Sequence, residues 1–132
     1  MKKVVGIIAC ITLLVVAIAA ALGWFFKAVP IITDTKDIRV IVQLYDGTYI
    51  ENYDKNELFR YLSSCKAHRI LENRSKRIQG VELTISIYTE SESTHIFIGN
   101  NNVITLGSSS FKYKIHNGEE VKTKLLDILN ID

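Results

Sequence analysis

From Val4 to Phe26 the chain runs for twenty-three residues without a charge or a proline. No other feature constrains it as much. A helix built from that run is about 34 Å long, enough to cross a hydrocarbon core of about 30 Å with some tilt. Residues 1–3 then form a short N-terminus, 4–26 a transmembrane anchor helix, 27–36 a connector, and 37–132 a single exported domain.

The flanks set the direction. Lys2 and Lys3 precede the run and Lys27 alone follows closely. The more basic flank stays in the cytoplasm, which predicts a single-pass chain with a cytoplasmic N-terminus and an extracytoplasmic C-terminal domain. Trp24, Phe25 and Phe26 close the run, where rings favour the headgroup boundary. Two other readings of the segment compete with this one. A cleavable signal peptide ending near Ala19-Ala20-Ala21 leaves Leu22 to Phe26 as an apolar new terminus, so an uncleaved anchor is the better reading. Ile7-Ile8-Ala9-Cys10 looks like a lipobox, but only six apolar residues precede Cys10 and most of the run lies beyond it. Small residues recur four apart at Gly6 and Cys10, Ala17 and Ala21, and Ala19 and Gly23. Homo-oligomerisation through that face has no further support, since Ala and Gly are common in membrane helices.

Of sixteen Lys plus Arg, Lys2 and Lys3 lie before the run, leaving fourteen against fourteen Asp plus Glu in the exported part. A neutral domain disfavours generic nucleic-acid binding. Cys10 and Cys65 fall on the two sides of this division and cannot pair, so no disulfide framework holds the domain. Its absence favours a bacterial envelope protein over a small secreted eukaryotic one. Asn73-Arg74-Ser75 would be a glycosylation acceptor in the latter setting.

Period-two alternation predicts a strand from Asp37 to Tyr45, with Asp46-Gly47 as a two-residue hairpin turn into Thr48 to Asn52. Asp54 and Glu57 have capping-box spacing, and Leu58, Tyr61, Leu62 and Cys65 share one face, predicting a helix to about His68 with a buried Cys65 thiol. Val81, Leu83, Ile85 and Ile87 alternate with polar residues in the clearest strand of the chain. Shorter runs come next at His95 to Ile98, Val103 to Leu106 and Phe111 to His116, separated by Gly99 to Asn102 and Gly107 to Ser110. Strands this close imply an antiparallel meander. Val121, Leu125, Ile128 and Leu129 then mark a closing helix with Glu119 and Glu120 in its first turn. The expected class is α+β: after the transmembrane helix, one antiparallel sheet covered by two helices, in the order β-β-α-β-β-β-β-α.

The search for chemistry returns little. His68, His95 and His116 lack the short spacing of a zinc site. Glu90 with Glu92 and Glu119 with Glu120 are explained by a turn and a helix start. Gly107-Ser108-Ser109-Ser110 is not a nucleophile elbow, and no phosphate-cradling loop is present. No catalytic, cofactor or metal residue is assigned. One stretch stands out: Lys66, Arg69, Arg74, Lys76 and Arg77 with only Glu72 opposing, in an otherwise neutral domain. That patch suits an anionic partner such as lipid headgroups, a wall polymer or an acidic protein face, though short charge runs are often no more than solvated loops.

The Ile38 to Gly47 pattern, the capped helix, Val81 to Thr89 and Phe111-Lys112-Tyr113-Lys114-Ile115 before a last helix resemble the small uncharacterised extracytoplasmic domains that low-GC Gram-positive bacteria carry behind a signal sequence or anchor. The resemblance covers residues 37–129 and rests on element order and composition. It implies a fold and a location and transfers no site residue. The expected function is a non-enzymatic binding or interaction module, with an accessory or immunity-type envelope protein as a specific form. The alternatives are an enzyme or ligand sensor whose site is assembled from dispersed residues, a secreted domain after cleavage, and an anchor helix that is itself the active element.

Overall fold

The computed structural model describes residues 1–32, 38–107 and 109–131. Residues 33–36 of the connector, the expected strand start at Asp37, Ser108 of the second turn and Asp132 lie outside them. The apolar run forms α1 (Lys2–Phe25), none of whose residues is buried. It is the one helix among the described residues long and apolar enough to cross a membrane. The Thr12 hydroxyl donates to the Ile8 carbonyl at 2.8 Å, so the run's polar side chain is satisfied within the helix.

The rest comprises β1 (Val29–Pro30), β2 (Arg39–Leu44), β3 (Tyr49–Ile50), α2 (Lys55–Ser64), β4 (Lys66–Asn73), β5 (Val81–Tyr88), β6 (Ser93–Gly99), β7 (Val103–Leu106), β8 (Phe111–Ile115) and α3 (Gly118–Ile128). One antiparallel eight-stranded sheet runs β1-β4-β8-β7-β6-β5-β2-β3. The expected α+β class, with an antiparallel sheet and two helices behind an apolar N-terminal helix, is what forms. Both edge strands, β1 and β3, are two residues long, which limits pairing with another chain. Pro30 lies in an edge strand, where its missing N–H removes no ladder bond.

Alternation decides the faces. Val42, Leu83, Ile85, Ile87, Ile96, Ile98, Ile104 and Ile115 point to one side and are buried there under Leu58 and Leu62 of α2 and Val121, Leu125 and Ile128 of α3. The Asp54 carboxylate starts α2 by accepting from the amides of Asn56 and Glu57 at 3.0 and 3.2 Å. Cys65 is buried as expected, and desolvation raises its thiol pKa.

Three local expectations are corrected. The helix ends at Ser64, not near His68, because Cys65 turns extended (φ −82°, ψ 149°). Ser63 and Ser64 bend their hydroxyls back to the carbonyls of Phe59 and Tyr61, competing with the helical ladder. Beyond Cys65 the chain enters a strand, β4, paired with both β8 and β1, so the observed order gains two strands over β-β-α-β-β-β-β-α. In the first hairpin only Gly47 has positive φ, at +90°. The Leu44 amide donates to the Thr48 carbonyl at 2.8 Å, and Tyr45, Asp46 and Gly47 form a three-residue loop in place of the two-residue turn. The connector is not a plain spacer: Val29–Pro30 is a strand, and Ile31, 2% exposed, lies in the core.

A basic groove on the helix-free sheet face

The sheet face away from α2 and α3 carries the polar members of each alternating pair, and near β4 and β8 it is folded over by the turn that joins β4 to β5. The register of β4 on β8 begins with Ala67 opposite Ile115, His68 opposite Lys114 and Arg69 opposite Tyr113. It resumes at Asn73 opposite Phe111, four steps on β4 against two on β8. That bulge widens the strand and frees its end to turn back.

The turn is held by its own polar groups. The Asn73 carboxamide oxygen accepts from the Ser75 amide and hydroxyl at 2.9 and 2.7 Å. The Arg74 amide donates to the Ser110 carbonyl at 2.9 Å, and its guanidinium donates to the Gly107 carbonyl. Lys112, only 1% exposed, pins the turn from below: its ammonium donates to the Lys76 carbonyl at 2.5 Å and to the Glu72 carboxylate at 3.3 Å. A lysine this buried is tolerated because both contacts are charge-assisted.

Between turn and sheet lies a groove of about 380 Å³ walled by Ile70, Ile78 and Val103 on its apolar side and by Gln79 and Asn101 on its polar side. Four cations line it, Lys76, Arg77, Lys112 and Lys114, against the single carboxylate of Glu72. Glu72 is already shared between Lys112 at 3.3 Å and Lys76 at 3.7 Å. Among the described residues Arg77 and Lys114 have no carboxylate within ion-pair reach. Such a site offers guanidinium and ammonium donors to an oxyanion and has an apolar wall for whatever carries it.

The five cations singled out in the sequence separate into three places. Lys76 and Arg77 line the groove. Arg74 binds Gly107 and lies close enough to His95 to disfavour that ring's protonation. Lys66 is exposed at the far end of β4 opposite Pro30, and Arg69 faces the other side of the sheet, against Trp24, Phe25 and Tyr113. The residues sequence reasoning missed are Lys112 and Lys114. Their signal was present, since two lysines two apart on a strand must share a face.

The histidines add a titration. His68 and His116 lie with ring centroids 4.9 Å apart, and the buried Nδ1 of His68 has no hydrogen-bond partner. Desolvation, then His116 and Lys114, lower the pKa of His68. Desolvation, then Arg74, lower that of His95. Both rings resist protonation in the fold and not in the unfolded chain, so their contribution to stability is intact above about pH 6.5 and declines as pH falls below it. Urea midpoints measured from about pH 7.5 to pH 5.5 should fall, and changing both residues to Gln should flatten that slope. An unaltered slope in the double variant would show that other groups carry it. Among the described residues no group of three or more His, Cys, Asp or Glu comes together.

Comparison with protein-family models, curated proteins and solved structures finds no match.

Proposed function

We propose that this chain is a single-pass membrane-anchored binding module, with its N-terminus in the cytoplasm and its domain outside, whose groove takes an anionic group of another envelope component. The anchor reading is supported by an apolar helix of twenty-four residues, none of them fully buried, with Lys2 and Lys3 at its start. The binding reading is carried by one observation: Arg77 and Lys114 flank a groove whose carboxylate is already committed to other cations. Phosphate or carboxylate groups of a wall polymer, or of an acidic protein face, fit that chemistry. An accessory or immunity-type subunit of a membrane assembly needs no more than such a domain on one helix.

The test uses the full chain in mild detergent and polyphosphate as the probe. Binding should weaken with salt, as expected for partly exposed charges. Arg77→Ser together with Lys114→Ser should weaken it about tenfold or more, because each charged hydrogen bond lost costs about 1.5–3 kcal/mol at most and one factor of ten is about 1.4 kcal/mol. Equal affinity of the double variant and the parent would remove the groove from consideration.

A further inference from the structure

At the end of α1 the chain does not swing free. Phe25 meets Phe111 of β8 edge to face at 5.3 Å. The Arg69 guanidinium lies 4.6 Å from the Phe25 ring centroid and 5.6 Å from those of Trp24 and Tyr113. Its Nε and Nη2 donate to the Tyr113 hydroxyl at 3.3 and 3.1 Å. Only Phe26, Lys27 and Ala28 separate the helix from β1, which pairs Val29 with Ala67 and Pro30 with Lys66. Ile31 is then buried in the core. The junction is thus held from both sides, by ring contacts before it and by a strand after it.

Two side chains of β4 near this junction lack a matching partner. Every contact Arg69 makes is to a ring or a phenol, and among the described residues no carboxylate reaches it. Leu71 is 78% exposed. Its neighbours Ile70 and Glu72 line the groove, and Leu71, like Arg69, does not. A half-buried cation over the Trp24 and Phe25 rings, with an exposed leucine two residues along the same strand, complements a bilayer surface, whose phosphates lie just outside the depth at which Trp is favoured. Guanidinium is the side chain best suited to phosphate, through paired N–H donors.

We propose that this end of the sheet is a lipid-docking surface, in which Arg69 pairs with the phosphate of an anionic phospholipid headgroup and Leu71 rests in the interface beside it. The proposal rests on the anchor reading above. It adds that the domain lies against the membrane in one orientation, with the basic groove on the face turned away from Arg69.

The experiment places the full chain in nanodiscs of phosphatidylcholine and phosphatidylglycerol carrying a headgroup spin label, and reads the broadening of backbone amide signals. Leu71, Asn73 and Phe111 should broaden strongly while Arg77 and Lys114 should not. Arg69→Gln should reduce the effect about fivefold, the factor expected for one basic residue at an anionic surface. Leu71→Asp, at an exposed position that leaves the fold intact, should reduce it as well. Even broadening over both faces, or a pattern unchanged in both variants, would overturn lipid docking while leaving the anchor in place. A chain that fails to incorporate into the discs would overturn the anchor and the docking together.

Discussion

Removing the Glu72 side chain as Glu72→Ala should destabilise the domain by about 3 kcal/mol, far more than a partly exposed glutamate ordinarily costs. The reason is Lys112. Its ammonium is buried and has two acceptors, the Glu72 carboxylate and the Lys76 carbonyl. Without Glu72, a positive charge stays in the protein with one neutral acceptor, and losing one partner of a buried pair costs about 3–5 kcal/mol. The lower end applies because Glu72 is 30% exposed and water can enter in its place. Lys112→Met should be close to neutral by the same reasoning, since it removes the charge along with its need for a partner. The decisive measurement is the double variant in urea unfolding of the detergent-solubilised chain: Lys112→Met should restore most of what Glu72→Ala loses. Additive losses would mean that Glu72 stabilises the fold in some other way. The groove obeys the same logic, because Lys112 holds the turn that carries Lys76 and Arg77.

How much of this was legible depended on whether local pattern and tertiary context agreed. Strand β5 was plain, because Leu83, Ile85 and Ile87 face a core while Thr84 and Ser86 face away, and the period of two survives in the sequence. Strand β4 was not. Ile70 is the one β-branched residue in Lys66-Ala67-His68-Arg69-Ile70-Leu71-Glu72-Asn73, and the bulge between Arg69 and Asn73 breaks the alternation. Its conformation comes from β8 and β1, which are distant in sequence. The charge cluster therefore reads as one patch, although a strand sends Arg69 to one face and Glu72 to the other. Half of the groove, Lys76 and Arg77, was visible as charge density. Lys112 and Lys114 lie in a segment whose pattern speaks only of a strand, and nothing local indicates that a turn thirty-odd residues earlier folds onto them. Likewise Val29–Pro30 and Ile31 belong to a stretch whose proline argues for a connector, and an edge position is where that argument fails.

The second large effect is expected at Gly99→Ala. Strand β5 shifts register against β6 between Val81, opposite Gly99, and Leu83, opposite Ile98. The shift draws the Gly80 carbonyl against Gly99, and a Cβ there would stand 1.9 Å from that oxygen and 3.0 Å from the Glu82 amide nitrogen. Both are backbone atoms, so no side-chain rotation relieves the clash. Gly80 cannot easily move aside, because its φ is +67° and the Asn100 side chain packs against it, while the Asn100 amide donates to the Gly80 carbonyl at 3.1 Å. The Gly99 amide in turn donates to the buried Asn102 side chain at 3.2 Å. A methyl group must then open the β5–β6 pairing at its end, and overpacking of this kind costs about 3 kcal/mol or more when backbone has to shift. Gly118→Ala is the matched comparison. The nearest atoms to its Cβ would all belong to the Asn102 side chain, the amide nitrogen at 2.8 Å and the Cβ at 3.3 Å, and although Asn102 is buried a side chain can shift at less cost than paired backbone. Urea midpoints should fall steeply for Gly99→Ala and distinctly less for Gly118→Ala. Amide exchange in Gly99→Ala should quicken first at Val81 to Leu83 and Ile98 to Asn100. Uniform quickening across the sheet, or a midpoint equal to the parent's, would show that the β5–β6 bulge accommodates the methyl without opening.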